Sequence, residues 1–273
     1  MRERFCRNRG AVVGVAVLLA FLTVALVAPL ATTYNPEQTR IEDKLLDPTP
    51  AHLLGTDHLG RDILARLAYG ARFSLLIGFA AVAVGLAIGV PLGAISGFYG
   101  GWLDLVIQRV IDVLLSFPGF LLALSLVAVL GVGIGNVIIA VGLGVLPAFV
   151  RLVRACTLSI RSRDYVEAAR LAGASGIKII WRHVLPNTVA PVVIQATLGL
   201  GAALLTAAGL GFLGLGVQPP TPEWGSMLGE GRSYIFSNPN LATFPGVAIF
   251  LTVLGFNLAG DGLRDALDPT LRA

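Results

Sequence analysis

The feature that most constrains the fold of this chain is a series of long apolar stretches with few or no charged residues. A helix needs about 20 apolar residues to cross the hydrocarbon core of a bilayer. Six segments meet this requirement: Ala11 to Ala31, Phe73 to Gly97, Asp104 to Leu130, Val137 to Leu158, Thr188 to Gly216 and Phe244 to Gly260. Hydrophobic residues make up 55% of the chain and charged residues 13%, which excludes an ordinary soluble domain. The sequence predicts an all-α membrane protein with about six transmembrane helices.

The distribution of Lys and Arg predicts the orientation of these helices. Six spans place both termini and the loop 159–187 on one side, and most of the 20 Lys and Arg residues fall there. Since cytoplasmic loops are enriched in positive charge, both termini are predicted to be cytoplasmic in a multi-pass protein of the inner membrane. The predicted regions are a cytoplasmic segment 1–10, a first transmembrane helix 11–31, an external loop 32–72, a five-helix core 73–263 and a cytoplasmic tail 264–273.

The first span and the two cysteines fit this topology. The span is longer than a signal-peptide core and no Ala-x-Ala site follows it, so it is predicted to be a retained anchor. Cys6 and Cys156 both fall on the predicted cytoplasmic side, where thiols stay reduced, and no disulfide is expected. The positive net charge is explained by the topology, and no basic, aromatic-rich surface indicates a nucleic-acid partner.

A charged segment, 164–187, interrupts the apolar pattern. Asp164 and Glu167 have the spacing of a capping box, so a short helix is predicted to start at Tyr165 and to end at Gly173.

A second short helix is predicted to follow, capped by Ser175 and running through Trp181, with Pro186 opening the next span. The two helices would form an L-shaped pair on the cytoplasmic side. The alternative interpretation of this segment is a basic connector between two spans.

The same segment resembles the EAA loop of ABC importer permeases. The residues that carry the resemblance are Glu167, Ala168, Ala169, Gly173, Leu185 and Pro186. In that family the loop forms coupling helices that fit a groove of the ATPase subunit and pass its closure into the membrane. The resemblance therefore implies that these six residues form the ATPase-docking site.

Two further regions of the chain narrow the resemblance to one type of permease subunit. The first is the segment 55–76, and the second is the carboxyl-terminal region, with the segments 211–235 and 256–269. Both regions are similar to the C-type permease of dipeptide, oligopeptide and nickel importers. This implies the type I ABC importer permease fold. It also implies three kinds of protein partner besides membrane lipid: a second homologous permease, two ATPase subunits and an extracytoplasmic substrate-binding protein.

The resemblance implies that this chain is a passive, non-catalytic permease subunit, which forms one half of the membrane part of an importer for dipeptides or oligopeptides. Nickel or glutathione are alternative cargoes for the same machine, and an ATP-independent channel or secondary carrier is the alternative of a different class. No GxxxxGK[ST] motif is present, and the GxGxxG match at 209–214 lies inside an apolar stretch without a preceding strand. ATP and Mg²⁺ are therefore expected on the partner ATPases, with no cofactor on this chain.

No catalytic residue and no metal site is predicted, because the chain shows no nucleophile set, paired catalytic carboxylates or metal-ligand spacing. His52 and His58, with Asp57, could touch a metal in the external loop. The alternative, which the sequence favours, is that both histidines are solvated.

A glycine pattern in the second span predicts close helix packing. Gly85, Gly89, Gly93 and Gly97 are spaced four residues apart, so one helix face carries no side chains and another helix can approach it. Pro91 lies in the same span and would kink it, with a gating hinge as the alternative role.

Three further side-chain roles are predicted. Asp62 and Arg66 have the spacing to form an ion pair on an amphipathic helix at the membrane interface. Arg109 and Asp112 are three residues apart and are predicted to form a structural ion pair, with a proton relay as the alternative. The middles of the spans are otherwise uncharged, which is unlike a proton-coupled carrier. Trp224, in a proline-rich loop, is predicted to belong to a lid or binding-protein surface or to anchor at the interface.

Overall fold

A computed structural model describes residues 8–267, so Cys6 and the ends of the predicted terminal segments lie outside the described part. The described residues form helices joined by loops, with one isolated β-bridge between Thr56 and Asp62. The helices are α1 (Arg9–Ala31), α2 (Ile63–Tyr99), α3 (Gly101–Leu115), α4 (Gly119–Leu130), α5 (Ile134–Arg161), α6 (Asp164–Leu171), α7 (Gly176–Ile179), α8 (Leu185–Phe212), α9 (Trp224–Gly231) and α10 (Asn240–Leu267).

The all-α class with about six spans is confirmed. Five elements are long and apolar enough to cross a membrane, and α3 with α4 forms a further, bent unit. The span predicted from Asp104 to Leu130 is not one straight helix, because α3 and α4 meet at 90°. Pro118 directly precedes α4 and has no amide hydrogen to continue the ladder of α3. We call the end of the bundle that carries residues 159–187 the loop end, and the opposite end the far end.

The glycine pattern of α2 packs against α5, as predicted. A Cβ on any of Gly85, Gly89, Gly93 or Gly97 would lie 2.6–2.8 Å from an atom of α5. At Gly93 that atom is the backbone oxygen of Val150. The two backbones therefore touch over four successive turns, and side chains larger than hydrogen have no room between them.

At the far end, α2 begins earlier than predicted. Asp62 caps the helix by accepting a hydrogen bond of 2.7 Å from the Ala65 amide, so residues 63–72 are the first turns of α2 rather than a separate interfacial helix. The predicted pair of Asp62 with Arg66 is wrong. The second carboxylate oxygen of Asp62 contacts His52 Nδ1 at 2.8 Å instead, because the capping role turns the carboxylate away from the next helical turn.

Arg66 belongs to a buried charge cluster that ties the 55–62 segment to α9. Arg61 Nε lies 2.5 Å from Asp57 Oδ2, and Arg61 Nη2 lies 2.7 Å from Glu230 Oε2. Arg66 approaches the same two carboxylates at 3.5 Å and 3.4 Å. Both arginine side chains are almost fully buried. The two positive charges are matched by two negative ones, which is what burial of ions requires.

The histidines of this region are packed rather than solvated. His58 stacks on Tyr234, and its ligand-capable nitrogen lies within 4.8 Å of oxygens of Asp57 and Glu230. His52 is not part of this group, so the predicted grouping of both histidines with Asp57 does not form. The arginine charges beside both carboxylates oppose the entry of a cation.

Trp224 is a core residue. It is 0% exposed, its indole donates to the Leu67 carbonyl at 2.9 Å, and its ring lies against the bare backbone of Gly70. Both predicted roles, an exposed lid or binding-protein surface and an interfacial anchor, are therefore wrong.

Glu223 caps α9 beside this tryptophan. Its carboxylate accepts hydrogen bonds of 2.9 Å from the amides of Gly225 and Ser226 and from Ser74 Oγ of α2. The side chain is buried, and burial raises the pKa of this carboxyl above its ordinary value despite the three donors.

At the loop end, two ion pairs join α3 to α5. Both carboxylate oxygens of Asp104 accept hydrogen bonds of 2.6 Å from Arg154, and Asp112 pairs with Arg151 at 2.8 Å. The predicted pair of Arg109 with Asp112 is wrong, because α3 turns Asp112 toward α5.

Candidate functional site

The 159–187 loop folds as a short helix followed by a glycine turn. Helix α6 begins at Asp164, one residue before the predicted start, and Asp164 is its first residue rather than its cap. Gly173 ends the helical region with φ = +80° and donates its amide to the Arg170 carbonyl at 2.9 Å. A side chain at this position would be strained by the backbone, although the space around it is open.

The second short helix is not a separate element. Ser175 caps α7 as predicted, and α7 continues through a wider π-helical turn, Ile180–Val184, into α8. Pro186 lies in the first turn of α8, directly after this wider turn. The loop therefore connects directly to a membrane-crossing helix, so a movement of α7 is also a movement of α8.

The structure divides the six predicted docking residues into two groups. Four are exposed to solvent in the chain by itself: Glu167, Ala168, Gly173 and Pro186. Ala169 and Leu185 instead pack against a buried cluster that includes Val166 and Phe98. The two groups indicate a helix with one face available to a partner and one face fixed to the transmembrane bundle.

The face of α6 that is turned toward the transmembrane bundle packs against Phe98, near the end of α2. Val166 is 0% exposed in the same cluster as Phe98 and Ile179. The Arg170 guanidinium lies 5.1 Å from the centre of the Phe98 ring, within the range of a cation–π contact. Sequence reasoning missed these contacts, although Val166 and Arg170 are four residues apart and so share a helix face.

Arg161 makes a second link between the loop and α2. Its Nη1 donates to the carbonyl of Gly97 at 3.0 Å and to that of Phe98 at 3.4 Å. These carbonyls lie in the last turn of α2, where helical acceptors lack partners within the helix. The last residue of α5 therefore closes the end of α2, just before α6 begins.

Two family models match this chain. The model described as "Binding-protein-dependent transport system inner membrane component" matches residues 89–273. The model described as "N-terminal TM domain of oligopeptide transport permease C" matches residues 1–48. This chain belongs to the family of binding-protein-dependent ABC importer permeases. Its members are membrane subunits without catalytic activity, and the ATPase is a separate subunit.

Curated relatives match this permease over nearly its full length. The dipeptide transport permease DppC of Alkalihalophilus pseudofirmus is 47% identical over 98% of this chain and 88% of its own length. The glutathione transport permease GsiD of Pectobacterium atrosepticum is 48% identical over 99% and 90%. The di/tripeptide transport permease DppC of Pseudomonas aeruginosa is 47% identical over 99% and 91%.

Solved structures agree with the type I importer permease fold. A chain of the MetNI methionine ABC transporter in an inward-facing conformation matches with a TM-score of 0.61 and 23% identity. The match covers 74% of this permease and 96% of that chain.

The segment 209–214, which fits a nucleotide-loop pattern in sequence, lies at the end of α8, where Gly209 packs against Phe120.

Proposed function

We propose that this permease is the C-type membrane subunit of an ATP-driven importer of dipeptides or oligopeptides. The observation that carries the proposal is the 159–187 loop: it presents Glu167, Ala168 and Gly173 to solvent while its other face is fixed to Phe98. Relatives that are named for dipeptide and di/tripeptide transport and match nearly the whole chain support the cargo class.

Coupling would proceed from the ATPase to the membrane through this loop. Closure of the ATPase subunits on ATP moves α6, and its contacts with Phe98 and the continuous α7–α8 element pass that movement to α2 and α8. Because α2 and α5 touch along the glycine face, they would move as one body. ATP and Mg²⁺ belong to the ATPase subunits in this scheme, and this chain binds no cofactor.

The proposed assembly contains this chain, a second homologous permease, two ATPase subunits and an extracytoplasmic substrate-binding protein. The loop end faces the cytoplasm, since ATP is there, and both termini lie on that side of the inner membrane. The Lys and Arg distribution supports the same orientation.

Glutathione is the second candidate cargo. Relatives named as glutathione permeases match this chain with 48% and 49% identity, as well as the dipeptide permeases do. Both cargo classes share a peptide backbone and terminal charges.

The test is uptake of labelled dipeptides, longer peptides, glutathione and nickel by cells with and without the gene, with a parallel sample depleted of ATP. Gene-dependent, ATP-dependent peptide uptake supports the proposal. Loss confined to glutathione or nickel replaces the cargo, and gene-dependent uptake that survives ATP depletion contradicts the importer mechanism.

A Gly173→Leu variant tests the loop itself. We expect the variant to insert and to bind the ATPase subunits, and ATP hydrolysis to continue with uptake reduced at least tenfold. Gly214→Leu is the matched control, because Gly214 also has a positive φ of +77° and open surroundings but lies at the far end. Normal uptake by a well-expressed Gly173→Leu variant would contradict the assignment.

A further inference from the structure

A basic cavity lies beside the coupling loop. It has a volume of about 480 Å³, and Arg161, Ser162, Arg170 and Tyr99 contribute to its walls. Within residues 8–267, neither guanidinium has a carboxylate partner: Arg161 bonds to backbone carbonyls and Arg170 lies over an aromatic ring. Asp104, which pairs with Arg154, also lies near enough to interact with the Arg161 charge. The cavity still combines two guanidinium groups that form no salt bridge among the described residues with hydroxyl groups, which suits a phosphate or carboxylate group.

An apolar groove adjoins this cavity. Its volume is about 750 Å³, and it runs along α2 from Leu86 to Tyr99, with Ile177 and Trp181 on its opposite wall. Thirteen residues of helix correspond to about 20 Å. The Tyr99 side chain lines both the groove and the basic cavity. An elongated ligand with a charged head and an apolar tail can therefore reach from one to the other past a single ring.

The dimensions and the position of this pair of cavities fit a membrane lipid. Half of the hydrocarbon core of a bilayer is about 15 Å thick, so an acyl chain can follow the groove over most of its length. Tyr99 and Trp181 are 52% and 70% exposed near the loop end, where aromatic side chains commonly mark the membrane–water boundary. The cytoplasmic leaflet carries anionic lipids, which match the charge of the two arginines.

We propose that one anionic phospholipid binds here, with its phosphate between Arg161 and Arg170 and one acyl chain in the groove between α2 and the α7–α8 element. This lipid would bridge the coupling loop and α2, and so would support the position of α6 against Phe98. The choice of leaflet rests on the proposed orientation, whereas the binding site itself rests on the two cavities.

The test uses the complex purified with its partner subunits, stripped of lipid and titrated in native mass spectrometry. The probes are phosphatidylglycerol, phosphatidylcholine with the same acyl chains, and inorganic phosphate. We expect one phosphatidylglycerol to bind at least tenfold more tightly than phosphatidylcholine. Arg170→Gln should weaken phosphatidylglycerol binding about fivefold, which corresponds to about 1 kcal/mol per basic residue near an anionic lipid. Arg163→Gln removes a nearby exposed arginine that lines neither cavity, and should change nothing.

A second pair of variants tests the groove. Ala87 is exposed and lines it, so Ala87→Trp should fill it and lower the affinity for phosphatidylglycerol at least tenfold. Ala83 lies one turn earlier on α2, is also exposed and does not line the groove. Ala83→Trp should bind the lipid normally. Recovery of the variant complexes with their ATPase subunits shows that they have folded.

Three outcomes would overturn the proposal. Equal binding of phosphatidylglycerol and phosphatidylcholine would remove the role of the headgroup charge. Inorganic phosphate that binds as tightly as phosphatidylglycerol would make this a site for a free anion. Loss of the second permease from the Ala87→Trp complex, but not from Ala83→Trp, would assign the groove to the subunit interface. None of these results bears on the proposed cargo, which the uptake experiment tests separately.

Discussion

Adding one methyl group to the glycine face of α2 should separate two transmembrane helices. In Gly93→Ala, the new Cβ would lie 2.6 Å from the Val150 oxygen and 2.9 Å from Val153 Cβ. Ordinary contacts begin at 3.4 Å, so α2 and α5 must part by up to 0.8 Å at this turn (3.4 − 2.6). Overpacking of this kind costs about 1–3 kcal/mol. The higher helix propensity of alanine returns up to about 1 kcal/mol. From the middle of the overpacking range, about 2 kcal/mol, we therefore expect a net loss of about 1–2 kcal/mol.

Gly144→Ala is the control for this prediction. Gly144 lies within α5, and a Cβ there would meet its nearest neighbour at 3.8 Å, an ordinary contact. Only the propensity gain remains, so this variant should be neutral or slightly more stable. The assay is the thermal midpoint of the purified complex, followed by size-exclusion chromatography of a fluorescent fusion. A destabilisation of 1–2 kcal/mol corresponds to a decrease of roughly 2–8 °C for a chain of this size.

The double variant Gly89→Ala/Gly93→Ala tests whether one separation of α2 from α5 relieves both clashes. A Cβ on Gly89 would lie 2.8 Å from Phe149 Cβ on the same helix α5. One separation of the two helices relieves both clashes, so the double variant should lose less stability than the sum of the two single variants. If Gly93→Ala were as stable as Gly144→Ala, the close contact between α2 and α5 would be refuted.

Two predictions concern buried charge at the far end. Glu230→Gln leaves Arg61 with one carboxylate partner. Breaking a buried ion pair costs about 3–5 kcal/mol, and we expect a loss near the lower end of this range because Glu230 is partly exposed. Asp112→Asn, in an exposed pair, should cost at most about 1 kcal/mol in the same melting assay; equal losses would contradict the reasoning. Burial raises the pKa of Glu223 above 4.5, so the folded chain holds this proton more tightly than the unfolded chain does. The stabilisation that comes from the protonated Glu223 carboxyl is complete below pH 4.5, the ordinary pKa of a glutamate. It is lost as the pH rises through the higher pKa that Glu223 has in the folded chain. Wild-type stability should therefore fall with rising pH more steeply than that of Glu223→Gln, and parallel pH profiles would contradict this.

The candidate site shows where sequence reasoning succeeds and where it stops. The helix 164–171 and the turn at Gly173 follow from helix signals and from the one residue type that tolerates positive φ. Phe98 could not be found in this way. It lies 68 residues before Val166 in the chain (166 − 98), and nothing in the local pattern of either segment indicates the other.

The sequence by itself determined the number of apolar spans, the glycine face of α2 and the turn at Gly173. Each of these depends on hydropathy, helical period or backbone freedom, which are properties of residues close together in the chain. Tertiary structure alone decided the partners of Arg66 and Asp112, and the burial of Trp224. A charge or an aromatic ring accepts any suitable neighbour within reach, and only the packing of distant helices determines which neighbour is there.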